Sequence, residues 1–226
     1  MLENMTNQNN QTKYFKNRKN LRLKNYDYSS NGAYFVTIGV NNRECLFGNI
    51  LDSQMCLNDA GLMIDEIYRD LENKFTNIQC GEYVIMPNHF HCVIHICNDG
   101  YRMNERANIE FAPTNGNTRS VQNRDDIESS PTKVPVGVES ISTRVSLSQI
   151  VQTFKRQTTI EYINGVKTKN WQPFDKCLWQ RNYYEHIIRN EKSYNEIIKY
   201  IQLNPLKWEL DELNPKFENK NAIKDK

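Results

Sequence analysis

The sequence predicts an α+β fold: a ferredoxin-like β-α-β-β-α-β core with an antiparallel sheet and an added C-terminal helix. Three observations point there. Segments rich in β-branched and aromatic residues alternate with segments of helical periodicity, in the order strand, helix, strand, strand, helix, strand, helix. Only Pro87 and Asn88 separate the second and third strands, so these two must form an antiparallel hairpin. A chain of 226 residues that is 38 % hydrophobic can bury one sizeable core, with room for arms or an inserted loop.

The elements follow in order. Residues 1–28 read as an Asn/Gln-rich disordered start and a basic arm. After the SSNG turn, AYFVTIGV (33–40) is the first strand. LNDAGLMIDEIYRDLENKF offers Asn58 or Asp59 as N-cap and places Leu62, Ile64, Ile67, Tyr68, Leu71 and Phe75 at helical spacing. EYVIMP and HFHCVIHI are the hairpin strands. Between residues 98 and 144 no period survives, which marks a disordered insertion. SLSQIVQTFKRQTTIEYI resumes as a helix capped by Ser146 or Ser148, with Ile150, Val151, Phe154 and Ile160 on its buried side. CLWQRNYYEHII (177–188) is the fourth strand. EKSYNEIIKYIQLNPLKW is the last helix, with Ser193 as one cap and Pro205 as its limit. One domain over residues 29–208 results, followed by a charged, frayed tail at 209–226. Such a sheet leaves one face open to water or a ligand.

Composition narrows the function classes. No apolar run approaches the roughly 18 residues of a membrane span, so no membrane partner is expected. The six cysteines form no C-x-x-C pair and follow no export signal, which suits reduced, core-filling thiols and a cytoplasmic location. A formal charge of +2 is close to balance, but its distribution is uneven. Lys13, Lys16, Arg18, Lys19, Arg22 and Lys24 crowd one arm without an acid, interleaved with Tyr14 and Phe15, a pattern suited to nucleic acid or to a solvated tail.

The stretch PNHFHCVIH holds three of the four histidines. On a strand, His89, His91, Val93 and His95 share one face and Phe90, Cys92, Ile94 and Ile96 the other. Imidazoles at i and i+2 lie about 6.6 Å apart at the backbone and can converge on one cation, although a half-buried strand with polar-face histidines has the same spacing. Two histidines leave a cation site incomplete. Tyr200 and Asn204 are four apart on the last helix and so share a face, where the amide can ligate a cation beside the phenol. A core aromatic with a helix-ending asparagine is the structural alternative. His95 reads as a solvated polar-face residue, one further strand repeat from His91.

AYFVTIGVNNRECLFG, YVIMPNHFHCVIHI, SLSQIVQTFKRQTT, LWQRNYYEHIIRNEKSY and IIKYIQLNPLKW, in this order, resemble the single-tyrosine transposases of the His-hydrophobic-His (HUH) superfamily, REP-associated tyrosine transposases in particular. The resemblance covers residues 21–208 except the insertion, which is longer than the family pattern. It implies an endonuclease and strand transferase acting on single-stranded or hairpin DNA through a 5′-phosphotyrosine intermediate. It implies Tyr200 as nucleophile and His89, His91 and Asn204 as ligands of Mg²⁺ or Mn²⁺; Asn204 stands where mobile-element relatives often carry Gln. Arg181 is the favoured DNA contact, with Lys155, Arg156 and the basic arm as further ones. The C-terminal extension leans towards a monomer, nucleoid-associated when bound to DNA. The rival is a domesticated module that binds hairpin nucleic acid without cleaving it.

Overall fold

The structure, a computed structural model, describes Leu23, residues 25–98 and residues 144–217. The basic arm and most of the insertion lie outside the described residues. The elements are β1 (Gly32–Gly39), β2 (Gly48–Leu51), β3 (Gln54–Leu57), α1 (Asp59–Arg69), α2 (Leu71–Lys74), β4 (Ile78–Met86), β5 (His89–Ile96), α3 (Leu147–Thr168), β6 (Tyr184–Ile188) and α4 (Glu191–Leu203). A 3₁₀ turn, Pro205–Leu210, follows α4. The main sheet has the order β4-β5-β1-β6 with every neighbouring pair antiparallel. The fold is the α+β arrangement with an added C-terminal helix.

Caps set the helix starts. Asn58 accepts from the Gly61 N–H while its own amide donates to the Leu46 carbonyl, so it, and not Asp59, begins α1. Ser146 and Gln149 close a capping box on α3. The α4 cap is Asn190, which accepts from the Ser193 N–H at 2.8 Å, so Ser193 itself lies within the helix.

Both faces of the sheet are covered. On one side Tyr34, Val36, Ile38, Phe90, Cys92 and Ile94 pack beneath Ile64 and Tyr68 of α1 and Ile150 and Phe154 of α3. On the other, Ala33, Phe35, Val93 and Ile188 receive Ile201 of α4. The expected open face is therefore partly roofed by the last helix, and all eight residues of β5 are buried.

Other expectations change too. Of residues 177–188 only the last five join the sheet, because the Lys155 ammonium captures the carbonyls of Gln180 and Asn182 and holds that stretch as a loop; Trp179 keeps a single bridge to Val40. The hairpin β2–β3 was not expected. Its strands are four residues each, joined by Asp52 and Ser53 with φ of 48° and 62°. The tail is folded at least to Phe217. Its Asn214 is buried, and Asn88 holds the Leu213 carbonyl at 2.7 Å. Among the described residues no helix is long and apolar enough to cross a membrane.

Candidate active site

β5 delivers His89 and His91 to the α4 side of the sheet, with ring centroids 4.6 Å apart. The hydrogen bonds around Asn88 settle the His89 tautomer. The Asn88 amide nitrogen donates to the carbonyls of Arg43 at 3.0 Å and Leu213 at 2.7 Å, so its Oδ1 is left as an acceptor. His89 Nδ1 lies 2.9 Å from that oxygen and must carry the proton, which leaves Nε2 with a lone pair turned inward. His91 Nδ1 is paired with Thr37 Oγ1 at 2.7 Å, across the β1–β5 register that sets Thr37 opposite His91. Burial pushes His89 down to about 3, with the Asn204 amide opposing, and takes His91 well below its ordinary value, helped by the His89 charge. Both imidazoles are thus neutral near pH 7, the form that ligates metal.

α4 brings the other groups. Seating Ile201 among Ala33, Phe35, Val93 and Ile188 fixes the rotation of the helix. Tyr200, one residue earlier, then reaches His91 Nε2 with its hydroxyl at 3.3 Å. Burial raises the phenol pKa, and the Asn204 amide opposes that rise. Asn204 ends the helix and is buried at 4 % exposure. It acts on the titration of both His89 and Tyr200, yet its Oδ1 completes no hydrogen bond, and neither does His89 Nε2. Buried polar atoms are rarely left so.

Asp211 completes the ring. Its Oδ2 stands 3.6 Å from His89 Nε2, and one ligand atom each of His89, His91 and Asp211 lie within 4.8 Å of one another. Burial raises its carboxyl, while the Leu213 N–H and Arg43 pull the other way. The donors comprise two neutral imidazoles, an unsatisfied amide oxygen and a carboxylate. These groups could together hold a divalent cation, which would satisfy the lone pairs of His89 Nε2 and Asn204 Oδ1.

The group opens into a cleft of about 900 Å³ bordered by Phe35, Arg43, Tyr184, His186, Glu196 and Lys207. Phe35 is its aromatic floor, stacked on His91 at 5.5 Å and edge-on to Tyr200 at 5.9 Å and Tyr184 at 6.4 Å.

His89, His91, Tyr200 and Asn204 come together; among the described residues, the expected DNA contacts Lys155, Arg156 and Arg181 do not join them. Lys155 is engaged by the carbonyls of Gln180 and Asn182 at 2.8 and 3.1 Å, its charge lies 5.6 Å from the Tyr183 ring, and burial lowers it to about 8. That ammonium anchors the loop. Arg156 and Arg181 are exposed, and neither borders the cleft. His95 is buried under Tyr194 at 5.8 Å and pushed down to about 4 by that burial, not solvated; it lies outside the group. Thr37, Asn88, Arg43 and Asp211 were not singled out from sequence. Thr37 was within reach of pairing β1 with β5, and Asn88 of its place directly before the histidine pair. Asp211, in a tail of mixed charge, carried no such signal.

No family model matches the chain. Among solved structures it is similar to a REP-associated tyrosine transposase bound to a REP hairpin, with a TM-score of 0.40, 19 % identity and coverage of 82 % of this chain and 73 % of that one. It is also similar to a candidate transposase from Deinococcus radiodurans R1, with a TM-score of 0.37, 13 % identity and coverage of 80 % and 96 %. Similarity at these scores bears no weight for the chemistry. In sequence the chain is 38 % identical over 196 residues to an uncharacterized protein of Haemophilus influenzae strain Rd, covering 87 % of this chain and 92 % of that protein. The chain belongs to the family of that Haemophilus influenzae protein.

Proposed function

We propose that this protein is a metal-dependent single-tyrosine transposase that cuts and rejoins single-stranded DNA presented as a hairpin. The observation that carries the reading is the convergence, within one chain, of the Tyr200 phenol and the His91 Nε2 at 3.3 Å, 109 residues apart, beside two buried ligand atoms without partners. His89, His91 and Asn204, with Asp211 beside them, would hold Mg²⁺ or Mn²⁺, which supplies charge stabilisation at the scissile phosphate.

Tyr200 acts as the nucleophile. Its oxygen bonds to phosphorus as the bond from phosphorus to the 3′ oxygen breaks; the phenol proton is lost and the 3′ oxygen gains one, leaving a 3′-hydroxyl and a 5′-phosphotyrosine. Burial raises the phenol above its ordinary pKa, and attack requires loss of that proton. Attack by a 3′-hydroxyl reverses the step and frees Tyr200, so rejoining requires no nucleotide cofactor. Docking of α4 on its own sheet through Ile201 favours action in cis by a monomer. The basic arm from Lys13 to Lys24, with Arg181 and Arg156, is assigned to flanking DNA, and the protein to the cytoplasm at the nucleoid.

The experiment is incubation of the full chain with hairpin oligonucleotides copied from palindromes flanking its gene, with Mn²⁺. A denaturant-resistant protein–DNA adduct is expected, abolished by chelation. Tight binding to one hairpin with no adduct on any would favour the binding-only module.

A further inference from the structure

We infer that Arg43 contacts the backbone phosphate of the bound strand beside the histidine pair; this rests on the cleft being a single-stranded DNA site. The inference starts from an unusual backbone. After β1 the chain turns through Asn42 and Arg43 with φ of 55° and 58°, both in the left-handed region. Asparagine tolerates that region, but an arginine there is disfavoured and persists only where neighbours enforce it.

Here they do. Arg43 N–H donates to the Val40 carbonyl at 3.2 Å, and its own carbonyl accepts from Asn88 at 3.0 Å. Asn41 is tied to the Leu178 carbonyl by its backbone and to the Asp175 carbonyl by its side chain. The strained turn carries the Arg43 side chain to the wall of the cleft that holds His91, Tyr200 and Asp211. The amide of Asn88 grips the Arg43 carbonyl with its nitrogen and orients His89 with its oxygen, so one buried side chain sets both groups.

Charge makes the same demand. The cleft is lined by the carboxylates of Glu196, Asp211 and Glu212, which repel a polyanion, and its two lining cations of fixed charge are Arg43 and Lys207. Lys207 is exposed on the 3₁₀ turn, a point charge on a flexible stem. Arg43 is partly buried on a pinned backbone, and its planar fork matches phosphate oxygens.

Binding of a fluorescein-labelled oligothymidylate of about 20 nucleotides to the full chain, without added metal and across a sodium chloride series, tests this. Removing one phosphate contact lowers the slope of log K against log salt by about 0.7 for a single strand. Arg43→Gln is expected to lose that much, Arg43→Lys to keep it, and Lys74→Gln, bridged to Asp70 behind the sheet, to match wild type. Arg43→Asn, whose backbone favours the left-handed turn, should fold at least as well and lose the same slope. Wild-type slopes in both charge-removing variants would overturn the role of Arg43 and leave the proposed activity standing. Failure of the wild-type chain to bind oligothymidylate would overturn the role of Arg43, while the hairpin adduct assay decides the proposed activity separately. The expected slope loss in a protein that never forms an adduct would keep Arg43 as a nucleic-acid contact and remove the transposase reading.

Discussion

His89 donates its Nδ1 proton to the Oδ1 of Asn88 at 2.9 Å, and this bond leaves the lone pair of Nε2 turned towards Asp211. Asn88→Leu keeps the approximate size but removes the acceptor for His89 and both donors to the carbonyls of Arg43 and Leu213. Partners that orient metal-bound histidines are typically worth about 10–100-fold in affinity. Asn88→Leu should weaken Mn²⁺ binding, followed by titration calorimetry, by about that factor. Two lost donors should lower unfolding stability in urea by about 1–3 kcal/mol. Unchanged Mn²⁺ affinity would remove Asn88 from the site.

Thr37 plays the same part for His91, at 2.7 Å. Thr37→Val preserves the β-branched shape that suits β1 and deletes the oxygen. Mn²⁺ affinity should fall by about 10-fold or more while the melting temperature stays near wild type. Thr37→Ser should restore affinity. Equal affinity in all three would mean that the hydroxyl does not orient the ring.

Lys155 separates anchoring from DNA contact. Lys155→Met leaves the carbonyls of Gln180 and Asn182 without their donor, and stability should fall by about 1–3 kcal/mol. The salt slope for oligothymidylate binding should not change. A slope lowered by about 0.7 would restore Lys155 as a phosphate contact.

His95 gives the stability a pH dependence. Burial lowers its pKa from 6.5 to about 4, so between those values the unfolded chain binds the proton and the folded chain does not. The stability from this neutral imidazole is fully present above pH 6.5 and is lost as pH falls towards 4, by up to about 1.4 kcal/mol per pH unit. His95→Leu should reduce the slope of unfolding free energy against pH in that window, leaving the share from the likewise buried His89 and His91, measured by urea titrations at several pH values. An unaltered slope would show that His95 takes up its proton in the folded state.

Periodicity made most of this fold legible. The alternation in HFHCVIHI assigned His89 and His91 to one face, and the four-residue spacing put Tyr200 and Asn204 on one face of α4, but did not say which surface that face meets. Alternation names a face but not what covers it, so the burial of His95 beneath Tyr194 was out of reach. The four-residue strands β2 and β3 are too short to carry a period. Aromatic content marked residues 177–188 as strand, but the capture of two carbonyls by Lys155, some 25 residues earlier, is a tertiary event. Asp211 illustrates the same limit. A carboxylate among Glu209, Asp211 and Glu212 looks solvated until the tail is folded back by Asn88 and Asn214.

The most direct measurement compares the full chain with its Tyr200→Phe variant on a hairpin oligonucleotide from the flanking DNA, with Mn²⁺ present. Adducts are resolved on denaturing gels and the attachment site is read by peptide mass. Wild type is expected to carry the 5′-phosphate on Tyr200, and Tyr200→Phe to bind the hairpin and form no adduct. An adduct or cut product from the Phe variant would contradict the central claim, since another nucleophile or water would then be doing the cutting.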